Sequence, residues 1–207
     1  MGKMRRVAVA VILSSCVGVG GAACGGPQLP GPPLVIEMPE IGASVDVSGF
    51  LYFDEDPDGV LYTKPVLEPV KPGRMRLTKQ KVGVDVRFLG GKLPYPYVRV
   101  RGVAPREPKR EPWTLDTCVA FFQQRDEYGT VAWSAGTAEV KVVNGLQARI
   151  VPIDSTERDF VIEQRARVLV LAKPEVCYGI ETAANRTLWD KQEKLLAKVL
   201  DSVKPLQ

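Results

Sequence analysis

The chain of 207 residues contains no histidine. A Ser-His-Asp triad cannot be assembled within it, and the usual zinc and iron ligand sets lose their commonest member. Cysteine is scarce: Cys16, Cys24, Cys118 and Cys177 are the four present, too few past the N-terminal region for a metal site built from thiolates alone. After residue 24 no run approaches the ~20 uninterrupted apolar residues of a membrane-spanning helix. Phosphate-cradling glycine loops are missing too, since Leu89-Gly90-Gly91-Lys92 lacks both the spacing and the helix that should follow. Excess charge is small. The 28 basic and 24 acidic side chains give +4, and Lys3, Arg5 and Arg6 at the extreme N-terminus supply three of those positives. The rest of the chain is nearly neutral, which gives no reason to expect a nucleic-acid partner. Ala132-Trp133-Ser134-Ala135-Gly136 imitates a nucleophile elbow with Ala in first place. Without histidine, Ser134 reads as an ordinary turn or strand residue. No cofactor or metal and no catalytic residue is implied.

What the sequence does contain begins with its leader. Met1–Arg6 is short and basic, Val7–Leu13 is apolar, and small residues run from Ser14 to Cys24. This is the architecture of an export signal. A cysteine directly after small residues resembles the signal of bacterial lipoproteins, in which that cysteine receives diacylglycerol. Leu13-Ser14-Ser15-Cys16 matches the pattern fully, and Gly21-Ala22-Ala23-Cys24 matches its last three positions. Cys24 is favoured, with Cys16 as the alternative and a plain signal peptide cut near Ala23 as the reading without lipid. A Pro/Gly-rich stretch of tether character follows Cys24, and cleavage there leaves an even pair, Cys118 and Cys177. The expected organisation is a signal peptide over 1–23, a flexible tether over 24–40 and a single domain over 41–207. The resemblance implies a lipid-anchored protein of the bacterial cell envelope facing the periplasm.

Within the domain, Ser44–Phe53 and Val60–Leu67 are β-rich. Between them Asp54-Glu55-Asp56-Pro57-Asp58-Gly59 starts like a calcium loop. Position 12 of that loop is Pro65, which cannot ligate, so the stretch reads as a charged hairpin tip. Met75–Gly91 reads as a strand, with alternation through Val82, Val84, Val86 and Phe88. Tyr97, Val98 and Val100 mark the next. Thr114 has the character of an N-cap, preceded by Trp113, and Leu115, Cys118, Val119 and Phe122 recur on one face of a helix over 114–125. Asn144-Gly145 between two alternating runs is a strong hairpin signal. Ala166–Ala184 reads as two strands with a turn near Lys173-Pro174. In the closing helix Leu188, Trp189, Gln192, Leu195, Leu196, Val199, Leu200 and Val203 form an inner stripe, and Pro205 ends it.

This order over 93–207 resembles the PsbP/DcrB-like superfamily. The local matches are Trp113–Phe122 as first helix, Val143–Ile150 as a G-x-x-A-R hairpin, and Leu188–Lys204 as closing helix. The resemblance implies an α+β fold: an antiparallel β-sheet with helices packed on it, an α/β/α sandwich. It also implies a protein- or ligand-binding or scaffold module rather than an enzyme. The alternative reading is a cell-envelope hydrolase using two carboxylates, whose partners could be distant in sequence.

Two basic clusters are the remaining candidates. Lys71, Arg74, Arg76, Lys79 and Lys81 form the first, and Arg99, Arg101, Arg106, Lys109 and Arg110 the second. They suit an anionic polymer or an acidic envelope protein, or they are simply solvated strand faces. Finally, Cys118 lies on the inner stripe of the first helix. Cys177 lies in a strand that this helix must cover to bury Leu115 and Phe122. A disulfide between them is expected, with two buried free thiols as the alternative.

Overall fold

The structure is a computed structural model, and it describes residues 33–53, 67–77, 83–89, 96–103, 111–124, 130–157 and 162–206. Its centre is an eight-stranded antiparallel sheet. Along it lie β3 (Leu51–Phe53), β6 (Gly83–Leu89), β7 (Tyr97–Val103), β12 (Val176–Asn185), β11 (Ile162–Lys173) and β10 (Leu146–Glu157). The far edge is shared end to end. The first half of β10 pairs with β9 (Glu139–Val143) and the second half with β8 (Thr130–Ala135). A smaller sheet has the order β13 (Lys204–Pro205), β2 (Ala43–Asp46), β1 (Val35–Met38), β5 (Arg74–Leu77), β4 (Leu67–Lys71), with β1 and β5 parallel.

Period-two alternation sends the strands' side chains to two separate cores. On one face, Val151, Ile153, Ala166, Val168, Val170 and Cys177 pack beneath helix α1 (Leu115–Gln123), which contributes Cys118, Val119 and Phe122. On the other, Val98, Val100, Leu169, Leu171, Tyr178 and Ile180 meet helix α2 (Trp189–Asp201) and Ile36, Met38 and Val45 of the small sheet. Strand β12 is covered on both faces, so it is buried from Val176 to Ala184. The layers are therefore helix, sheet, then helix beside a second sheet. The expected α+β class, an antiparallel sheet carrying helices, is the observed one.

Local signals are realised where they were read. Thr114 Oγ1 accepts from the Thr117 N–H at 3.1 Å and Thr117 Oγ1 accepts from the Thr114 N–H at 2.9 Å, a reciprocal cap. Asn144 and Gly145 take φ of 49° and 86°, the left-handed pair that a two-residue hairpin needs. Cys118 and Cys177 are joined by a disulfide with Cα atoms 5.6 Å apart. It pins α1 to β12 and closes a separation of 59 residues, a constraint on the unfolded chain worth about 2–4 kcal/mol. Ser134 is a strand residue, opposite Asp154.

Three expectations require correction. The tether does not extend to residue 40: β1 is a strand from Val35, and Ile36 and Met38 are fully buried. Apolar alternation in Val35-Ile36-Glu37-Met38 is only two repeats long and was hidden by the surrounding prolines. The hairpin expected around residues 54–59, with nearly all of its second strand Val60–Leu67, lies outside the described residues. Met75–Gly91 is not one strand: β5 and β6 belong to different sheets. Leu188 leaves the inner stripe of the closing helix. It ends a 3-10 turn and is exposed, because the three-residue period of that turn rotates it away from the α2 face. Helix α2 also stops at Asp201, and Pro205 lies beyond it in β13. The leader, with Cys16 and Cys24, lies outside the described residues.

Candidate functional site

The first basic cluster folds into the β4–β5 hairpin. Pro72-Gly73 makes its turn, with Gly73 at φ 72°. A Cβ on Gly73 would meet the Pro33 carbonyl oxygen at 2.7 Å, so the turn is pressed against the start of the described chain. The Val35 N–H donates to the Gly73 carbonyl at 2.9 Å and fastens the two. Between them runs an open groove of about 420 Å³, lined by Pro33, Leu34, Pro69, Val70, Met75 and the cations Lys71 and Arg74. Its wall is mainly apolar, with positive charge at the rim.

That charge is partly spent inside the protein. Glu37, buried in β1, accepts from Arg74 Nη1 at 2.9 Å and from Arg76 Nε and Nη2 at 3.2 and 3.1 Å. The Arg74 hydrogen bond, opposed by burial and reinforced by Arg76, holds the Glu37 carboxyl below its ordinary range. Two of the cluster's cations thus staple β5 to β1, and Lys71 remains on the groove without an ion pair among the described residues. Lys79 and Lys81 lie outside the described residues.

The second basic cluster is dispersed. Arg99 and Arg101 project from β7 onto the α1 side of the large sheet, where the Arg101 guanidinium lies 5.7 Å from the centre of the Phe121 ring. Arg106, Lys109 and Arg110 lie outside the described residues.

Buried polar groups form two further sets that sequence reading missed. On the α1 face the Tyr97 hydroxyl donates to Glu181 Oε1 at 2.6 Å and lies 3.4 Å from Gln164 Oε1. The Nε2 of Gln164 is buried without a hydrogen-bond partner. Glu181 in an otherwise apolar strand was the one available signal. On the opposite face the Tyr178 hydroxyl donates to Glu40 Oε2 at 3.3 Å. Burial, and then the Glu40 carboxylate, push that hydroxyl well above its usual pKa. Carboxylate chemistry of the hydrolase reading needs two acids flanking one bond. Among the described residues the two buried glutamates, Glu37 and Glu181, sit in different sheets, each engaged by its own partners.

No family model and no curated protein sequence matches the chain. Its structure is similar to the solution structure of cyanobacterial PsbP (CyanoP) from Synechocystis sp. PCC 6803, at a TM-score of 0.51 and 15% identity, covering 89% of this chain and 98% of that one. At that identity the likeness carries the fold and no function. The helix-covered antiparallel sheet, with its Asn-Gly hairpin and closing helix, is a PsbP-like fold.

Proposed function

We propose that this chain is a lipid-anchored binding module of the cell envelope, and that the groove between the β4–β5 hairpin and Pro33-Leu34 receives an extended segment of an envelope protein. The observation that carries the reading is the groove's composition: an apolar wall with Lys71 and Arg74 on its rim. An anionic polymer would meet the cations and leave the apolar wall unused, so a peptide with acidic and apolar side chains fits better. The groove also adjoins Pro33, the point at which the chain arrives from the proposed lipid-bearing Cys24. A module tethered there meets its partner close to the membrane. Pro69 in the edge strand removes a backbone donor, so recognition runs through side chains rather than strand addition.

A photo-reactive residue placed at Val70, which is 41% exposed, tests this in intact cells. The expected result is a discrete adduct with an envelope protein that disappears when Lys71→Glu is added. The same probe at Leu188, 40% exposed on another surface, should give no such adduct. Equal labelling from both positions, or an adduct indifferent to Lys71→Glu, would overturn the reading.

A further inference from the structure

The edges of the two sheets are protected unequally. Strand β4 carries Pro69 and a register shift between Pro69 and Lys71. Strand β13 is two residues long and includes Pro205, and β3 has three residues. Proline, irregularity and shortness are the usual ways of preventing edge-to-edge pairing. Strand β9 has none of them. Its register with β10 is unbroken over five residues, and among the described residues no strand pairs with its outer edge. Its Val140 and Val142 are 74% and 63% exposed, the most open large apolar side chains among the described residues. The strand's two charges are of opposite sign, Glu139 and Lys141; Lys141 Nζ lies 3.1 Å from Asp201 in a solvent-open pair, which leaves further ammonium donors for a second carboxylate.

Backbone phase decides what the edge offers. Across the two-residue Asn144-Gly145 turn, Val143 and Leu146 exchange both hydrogen bonds, and by alternation so do the pairs Lys141/Ala148 and Glu139/Ile150. The N–H and C=O groups of Val140 and Val142 therefore point outward.

We propose that β9 is a self-association edge, on which the β9 of a second copy of this chain pairs antiparallel about a two-fold axis at Val140. In this register Val140 meets Val140 of the partner subunit, and Val142 meets Ala138 of the partner subunit. Each Glu139 lies opposite Lys141 of the partner subunit, so opposite charges face each other twice. A register centred on Lys141 would oppose two like charges and would present backbone groups already committed to β10. Charge and hydrogen-bond phase thus select the same axis, and the two large sheets become one continuous sheet. The contact is isologous, as a closed dimer requires.

Val140→Cys in the full chain provides the test. A hydrogen-bonded antiparallel pair holds its Cα atoms about 5.5 Å apart, within disulfide reach. Mild oxidation should trap a covalent dimer from Val140→Cys and not from Lys141→Cys or Leu188→Cys. Sedimentation equilibrium should show dimer for the unmodified chain, loss of dimer for Glu139→Lys, and recovery for Glu139→Lys combined with Lys141→Glu. Melting temperature and far-ultraviolet spectra of each variant establish that the fold is retained. A chain that stays monomeric at high concentration, a cross-link at 141 in place of 140, or a Glu139→Lys variant that dimerises like the parent would each overturn the proposal.

Discussion

Two glycines in the large sheet are occupied by their neighbours' rings. A Cβ on Gly102 would stand 2.6 Å from the Tyr178 ring, and one on Gly179 would intrude into the Phe122 ring. Both sites need the missing side chain for space rather than for an unusual backbone angle. Gly179→Ala is therefore expected to destabilise the protein by about 1–3 kcal/mol through overpacking, and Phe122→Leu in the same molecule should recover part of it. Thermal melts of the two variants check this; a neutral Gly179→Ala would mean that α1 can shift away from the sheet. Glu37 acts at the same scale through charge. Its native pKa is lowered, chiefly by Arg74. Such a group stabilises the fold above its unfolded value of about 4.5, and that stabilisation fades as pH falls through the lowered native value. Glu37→Gln should cost about 1–2 kcal/mol at pH 7, and the difference from the parent should shrink steadily below pH 4.5. Denaturant midpoints measured across pH 2–7 give the comparison, and a gap that persists at low pH would exclude the charged interaction as its source.

Among the elements, the β9–β10 hairpin has a second task. Its turn residue Asn144 donates from Nδ2 to the carbonyls of Asp201 at 3.1 Å and Val203 at 2.6 Å. These lie at the C-terminus of α2 and just past it, where carbonyls lose their helical partners. Ser202 adds to the same closure, donating to the Val199 carbonyl at 2.6 Å and accepting from the Asp46 N–H at 2.9 Å. One polar side chain thus joins the edge of the large sheet to the helix that covers it. Asn144→Gly preserves the positive φ and removes only the side-chain bonds. It should lower stability by about 1 kcal/mol, with faster amide exchange concentrated in the last turn of α2. Exchange that accelerates only within the hairpin would show that the turn, and not the helix end, depended on Asn144.

At the scale of the whole molecule, one sheet separates two cores, and each core has its own lid. The Cys118–Cys177 disulfide fixes the α1 lid. The α2 lid shares its layer with a small sheet whose first strand follows directly from Pro33. If Cys24 carries lipid, Cys24→Ser should move the protein from the membrane to the soluble fraction and Cys16→Ser should not, with unchanged melting of the released domain. Fractionation and metabolic labelling with a fatty acid read this directly, and the opposite pattern would assign the lipid to Cys16.

The sequence by itself determined whatever depends on neighbours within a few residues. The Asn-Gly turn, the Thr114 cap, the apolar face of α1, most of that of α2 and the alternation in β7 and in the β9–β10 hairpin are set by backbone sterics and by side-chain period, and they fold as read. The helix period put Cys118 on the buried stripe, but that Cys177 faces it, and not the opposite core, was decided by the phase of β12 in the folded sheet. Partner choice was settled only in three dimensions. A period-two pattern says that Arg74–Leu77 and Gly83–Leu89 are extended, and is silent on the fact that they enter different sheets. It is equally silent on the parallel pairing of β1 with β5, which brings Glu37 under Arg74 and Arg76 and turns two cations of a basic run into a staple. Tyr97, Gln164 and Glu181 come from three strands and meet because those strands are adjacent in the sheet, a relation set by long-range packing that no local pattern encodes.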